Sequence, residues 1–308
     1  MAQLAQRQPT PAPPRTLQRR LRDAGGSSWL WIAPAIVLVA VYLVYPIFNT
    51  IWLSLENGSS TQFVGLKNYL AIFTNRNLLL VLRNNILWIV LGTALTVALG
   101  LLIAVLLDRV RIESVAKSAV FIPMAISFVG ASVIWRFVYQ YAAGGQPQIG
   151  LFNAILTGLG RQPQAWLINP SINNYALIAV YVWMWTGFCV VILSAALKSV
   201  PADIIEAARV DGANEFSVFF RIIVPVISPT IAVVATTMVI NLLKIFDIVY
   251  VMTGGDFNTD VIALEYYQQA FTFNNFGLAS ALAVLLLIVI VPIMLYNIRR
   301  FRAQEAQR

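Results

Sequence analysis

Six long apolar stretches, roughly 30–54, 84–107, 115–139, 174–197, 222–249 and 276–298, leave this chain few folds to choose from. An apolar run of about 18 or more residues is long enough to cross the hydrocarbon core of a bilayer as a helix. Only 11% of the 308 residues are charged, against about 25% in a soluble domain. That is too little charge to cover a surface facing water. The expected fold is an all-α integral membrane protein with six transmembrane helices.

Basic residues give the stretches an orientation. Fifteen of the 21 Lys and Arg residues fall in the N-terminal arm, the 108–117 turn, the 198–221 loop and the C-terminal tail. The opposite loops hold only Lys67, Arg76, Arg83 and Arg161, while Arg136 and Lys244 lie within stretches. The positive-inside rule then places both termini in the cytoplasm, which requires an even number of spans. The net charge of +8 is accounted for by this asymmetry, and nucleic acid is not needed to explain it. Residues 1–28, rich in Pro and Arg, read as a disordered cytoplasmic arm. No small-residue cleavage site follows them, so the arm is expected to stay attached. Residues 29–299 form the membrane domain, and 300–308 a cytoplasmic tail.

There is no His, and the single Cys, Cys189, lies inside an apolar run. A Cys/His metal site, a His-based triad and an internal disulfide are excluded. No GxxxxGK[ST] phosphate loop occurs either, so ATP binding through such a motif is not expected. Among the opposite loops, 140–173 is expected to carry a short amphipathic helix near Leu151–Leu159 that caps the bundle.

The segment 201–229, PADIIEAARVDGANEFSVFFRIIVPVISP, is the longest cytoplasmic connection between spans. Asp203 and Glu206 have the spacing of a capping box for a helix beginning near Ile204. Ala207 and Ala208 keep that helix slim, and Gly212 ends it. Phe216, Phe219 and Phe220 recur at helical spacing before Pro225 and Pro229. Such a short helix with a ridge of small residues fits a groove in another protein. The string Glu206-Ala207-Ala208-x-x-Asp211-Gly212-Ala213, with Ile223, Pro225 and Pro229 after it, resembles the EAA loop of permease subunits of ABC importers. The resemblance covers roughly 29–299. It implies the type I importer permease fold and a coupling helix inserted into a cleft of a partner ATPase. The implied partners are a second permease subunit, paralogous rather than identical, an ABC ATPase dimer that uses ATP and Mg, and an extracytoplasmic solute-binding protein. No cofactor is expected on this chain, and the expected location is the cytoplasmic membrane of a bacterium or archaeon.

Ionisable residues within spans mark functional positions. Asn241, Lys244 and Asp247 recur every third residue of the fifth stretch and would share one helical face. They read either as a polar strip along a translocation path or as an ion pair that fixes packing. In the fourth stretch, Trp183, Thr186, Gly187 and Val190 recur at i, i+3, i+4 and i+7. An aromatic face beside hydroxyl and small residues suits a sugar ring, and equally suits close helix packing. Arg136 is expected to snorkel to the headgroups. These segments are similar in placement to the sugar-contacting segments of maltose-type permeases, and LKIFDIVYVMTGGDFNTDVIA resembles the alpha-glucoside branch. Lys244 and Asp247 depart from the uncharged polar residues of the maltose type. Other solutes, such as glycerol phosphate, a polyamine or an inorganic anion, stay open at this point. So does an ion-coupled secondary transporter, although it needs no coupling loop. A membrane enzyme finds no carboxylate cluster, His or Cys to join Lys244 and Asp247.

Overall fold

The computed structural model describes residues 31–108 and 110–305. The expected arm, 1–28, lies outside them. Two compact units make up the chain, 1–52 and 53–308. Helix α1, Trp31–Leu53, whose path includes a π turn at Ala40–Val44, makes up the described part of the first and ends one residue beyond it.

The second unit is helical. Its short helix α2, Lys67–Thr74, precedes α3, Arg76–Leu107, which holds a π turn at Trp88–Gly92. Helix α4, Glu113–Phe121, runs through a 3-10 turn to Ala125 and is followed by α5, Phe128–Val138, and α6, Leu151–Gly158. The long α7, Asn173–Lys198, leads to α8, Ala202–Val210, and α9, Glu215–Leu243. Helices α10, Asp247–Met252, α11, Ile262–Tyr267, and α12, Phe276–Glu305, complete the unit.

Five of these helices, α1, α3, α7, α9 and α12, are long and apolar enough to cross a membrane, and α4 with α5 makes a sixth candidate. That sixth span is not the straight helix expected for 115–139. It bends by 97° between Ala125 and Phe128. Ile126 and Ser127 are extended, and the Ser127 hydroxyl accepts from the Gly130 amide at 3.0 Å, so Ser127 caps a new helix instead of continuing the old one. Two further boundaries differ. α3 starts at Arg76, which puts Arg76 and Arg83 in a helix and not in a loop. The last helix runs to Glu305, through most of the expected tail.

The core is built around α7. Leu177, Ile178, Tyr181, Val190 and Leu193 are fully buried there, against Trp88 of α3 and Met238 and Leu242 of α9. In a bilayer, helices gain little from apolar burial alone and associate through close packing and hydrogen bonds. The hydrogen bonds gather at the end of the bundle away from residues 199–214, the distal end. Asn173 donates to the Phe257 carbonyl at 2.8 Å, Asn174 to that of Asn258 at 3.2 Å, and Asn84 to those of Asn258 and Asp260 at 2.8 Å each. These bonds hold Phe257 and Asn258 at positive φ, 56° and 64°, a conformation that persists where its surroundings enforce it. The helix expected near Leu151 is present as α6. It covers this end by packing Phe152 edge-on to Trp135 and Tyr139.

Candidate functional site

Two regions carry the residues singled out by the sequence: the loop from α7 to α9, and the end of α9.

In the loop, α8 begins at Ala202, two residues earlier than expected. Asp203 therefore lies in the first turn and makes no capping hydrogen bond, so the capping box is absent. An acidic group there still favours the positive end of the helix dipole. The other end follows the sequence closely. Gly212 has φ +83°, a left-handed conformation that glycine adopts without a Cβ penalty. Its amide bonds the Arg209 carbonyl at 3.1 Å, and the Ala213 amide bonds that of Ala208 at 3.0 Å. These are the two bonds of a Schellman ending. Asn214 then caps α9 through the Ser217 amide. Across the turn, the Arg209 guanidinium grips Glu215 with two bonds, 2.8 and 3.2 Å, a geometry that holds the two helices as one hairpin. The same carboxylate raises the Arg209 pKa.

The outer face of this hairpin is uncovered. Glu206, Ala207, Asp211 and Gly212 are exposed, with Ala208 and Ala213 half-buried. Ile204, Val210, Phe216 and Phe220 also stand in the open, Val210 with 86% of its surface accessible. These exposed apolar side chains, on a braced hairpin, form a surface ready for a protein groove, while Glu206 lines the gap between the hairpin and Leu106, Asp108 and Leu197.

The sequence reading missed what anchors this hairpin. Glu113, at the start of α4, binds both Lys117 and Lys198, the Lys198 contact being 2.8 Å, and Lys117 also bonds the Ser194 hydroxyl. This cluster ties α4 to the last turn of α7, four residues before α8. The Glu113–Lys117 spacing of four was the available signal.

At the end of α9 the chain departs from the expected continuous helix. The helix stops at Leu243, and Lys244 (φ −109°, ψ 24°) is its cap. The next helix, α10, starts at Asp247. Lys244 and Asp247 therefore flank a break and do not share a helical face, and no ion pair joins them. Lys244 is exposed, and Asn241 and Asp247 are half-buried. The Asn85 carboxamide holds the break: it donates to the Leu243 carbonyl at 3.3 Å and accepts from the Ile262 amide at 2.7 Å.

The face Trp183–Thr186–Gly187–Val190 packs inside the bundle, the second of the two readings that its residue types allow. Val190 is fully buried, and Thr186 turns its hydroxyl back onto the Val182 carbonyl at 2.6 Å. A Cβ on Gly187 would collide with the Val120 carbonyl oxygen and lie 2.7 Å from Phe121 Cα. The glycine is there so that α4 and α7 can touch. Trp183 sits edge-on to Trp135 at 5.5 Å. The exposed Arg136 guanidinium points at the Val251 carbonyl, 3.5 Å away.

The family model for the inner membrane component of binding-protein-dependent transport systems matches residues 30–303. The chain belongs to that family. Among its relatives, this permease is 56% identical over 279 residues to the osmoprotective compounds uptake permease protein GgtC of Synechocystis sp., covering 91% of this chain and 100% of the relative. It is 47% identical to the alpha-glucoside transport system permease protein AglF of Rhizobium meliloti, over 91% of this chain and 84% of that one. Its fold matches a chain in the crystal structure of a bacterial ABC transporter involved in the import of the acidic polysaccharide alginate. That match has a TM-score of 0.76 at 22% identity and covers 92% of this chain and 99% of the other. The permease is thus a multi-pass membrane subunit of a transport system with the type I importer fold.

Loop 244–275 of the permease carries one strongly shifted acid. Burial pushes the Asp260 carboxyl up to about 8. Glu265 adds to the shift by hydrogen bond and like charge, while the Val261 amide opposes it.

Proposed function

We propose that the chain is one permease subunit of an ATP-driven sugar importer whose substrates are glucosides or small oligosaccharides. It forms half of the translocation path beside a second, paralogous permease. The observation that carries this reading is the α8–α9 hairpin, a braced turn that leaves Glu206 and the apolar side chains of Ile204, Val210, Phe216 and Phe220 uncovered. An ABC ATPase dimer docks there and hydrolyses ATP with Mg, and this chain binds no cofactor itself. The dependence of the family on a binding protein supports an extracytoplasmic partner that delivers the solute. The distribution of basic residues supports cytoplasmic termini in a bacterial or archaeal inner membrane.

The names of the relatives at 47% and 31% identity, alpha-glucoside and trehalose/maltose permeases, support sugar over glycerol phosphate or polyamine. Asn241, Lys244 and Asp247 then lie on the path. An exposed Lys244 at a helix break keeps its hydration in a water-filled lumen, and the broken backbone leaves the Lys244 and Ile245 carbonyls outside a helical ladder.

The test is reconstitution of the four components in proteoliposomes with a panel of glucosides. ATP-dependent glucoside uptake is expected, and Glu206→Lys or Gly212→Val should abolish it together with recovery of the ATPase on the permease, without lowering membrane insertion. Uptake of glycerol phosphate or polyamine alone would overturn the sugar reading. Full ATPase recovery by both variants would overturn the docking site.

A further inference from the structure

Resting on the sugar reading above, we propose that a cavity at the distal end is a vestibule subsite. It holds one sugar unit after release from the binding protein and before passage at the break in α9. The cavity measures about 810 Å³ and lies between α5, the turn after it, and the segment from α10 to Phe257. That volume falls within the range of small-molecule pockets, about 300–1,000 Å³.

Its walls have the two chemistries that a sugar requires. Phe137, Tyr141, Tyr250 and Phe257 offer exposed aromatic surface on which the C–H face of a pyranose can stack. Arg136 and Asp256 stand on the same lining. The guanidinium has five N–H donors, and among the described residues one contact, to the Val251 carbonyl, is made. The Asp256 carboxylate has no hydrogen-bond donor among the described residues. One wall group can therefore donate to sugar hydroxyls and another accept from them, which is the arrangement that fixes a polyol in place. The Arg136 and Asp256 side chains take no part in the asparagine contacts or in the coupling hairpin.

The cavity also connects to the break. Tyr250 lines it and stacks on Phe246 with centroids 5.1 Å apart and planes at 16°. Phe246 lies two residues beyond Lys244, and Tyr267 packs edge-on to both rings, at 5.4 and 5.7 Å. Helix α10 has six residues, so its ends are about 9 Å apart. Asp247 stands at one end and the cavity at the other. A sugar that leaves the cavity thus meets an aromatic surface leading to the groups at the break.

Cysteines placed singly for Phe137 and Phe257, in a Cys189→Ala background, test this in the assembled transporter with its binding protein. Both positions should react with a small hydrophilic thiol reagent, and an imported glucoside in excess should slow the reaction several-fold. With Arg136→Gln added, the slowing should disappear. Glucoside uptake at saturating binding protein should survive Tyr250→Phe, which keeps the stacking face, and fall several-fold in Tyr250→Leu, which keeps the bulk alone. Labelling that ignores the sugar would overturn the subsite. So would positions unreactive without sugar, which would mean that a second permease subunit covers this face. If the unmodified transporter imports no glucoside, the sugar reading falls and the subsite with it; uptake without protection removes only the subsite.

Discussion

Asn85, in the first half of α3, donates its carboxamide N–H to the carbonyl of Leu243, the last residue of α9. Through its oxygen the same side chain accepts from the Ile262 amide. One buried amide thereby ties the end of one span to the start of α11, and satisfies the Leu243 carbonyl at the break between α9 and α10 together with a first-turn N–H of α11.

Replacing that amide with an apolar group of similar size should therefore loosen the break. Asn85→Leu leaves a buried carbonyl and a buried N–H unpaired, each costing about 1–3 kcal/mol. A lower unfolding temperature of the purified permease in detergent is expected, with greater protease sensitivity in 244–262. An unchanged melting temperature would mean that the contact does not hold the break.

Gly187→Ala distinguishes packing from transport on α7. The added methyl would press on the Val120 carbonyl and Phe121, so α4 must move, at about 1–3 kcal/mol. The yield of folded permease should fall, with no change in which sugars the surviving protein imports. Normal yield with altered sugar preference would return this face to the path.

How much of this was legible beforehand differs by region. The apolar runs predict the five long helices well because length and composition are all a span needs. Gly212 marks the end of α8 because the left-handed turn leaves little choice of residue. Trp183, Thr186, Gly187 and Val190 could not be sorted in the same way: small and hydroxyl residues serve a close helix crossing as well as a path wall. The bend after Ala125 was signalled by Pro123 and by Ser127 three residues before Gly130, and the apolar character of the stretch hid it. The break at Lys244 carries no Pro or Gly. It is held from a distance by Asn85, a contact 158 residues away in sequence that no local pattern reports. The i,i+3 spacing of Lys244 and Asp247 misled because it presumes an unbroken helix.

Asp260 makes a prediction about pH. Its pKa rises from an ordinary value of 3.8 to about 8 in the folded protein. Between those values the folded state holds a proton that the unfolded chain has released, so stability falls as pH rises from about 4 to about 8 and levels off above that. Asp260→Asn cannot ionise, and its oxygen can still accept from the Val261 amide. The variant should lose this part of the slope and melt higher than the parent at pH 8 and above. Melting curves from pH 5 to 9 decide the matter, and parallel profiles for parent and variant would contradict the shift.

The central claim is that the break at the end of α9 faces the substrate path, with Lys244 at its edge. Lys244→Ala in the assembled transporter tests it most directly, by glucoside uptake measured beside the yield and thermal stability of the complex. The account predicts normal assembly with uptake lost or shifted to other sugars, because an exposed Lys244 pairs with no acid among the described residues whose charge would be stranded. A packing role predicts the reverse: a stranded partner charge costing about 3–5 kcal/mol, poor assembly, and rescue by adding Asp247→Ala. Failed assembly restored by the double substitution would contradict the account.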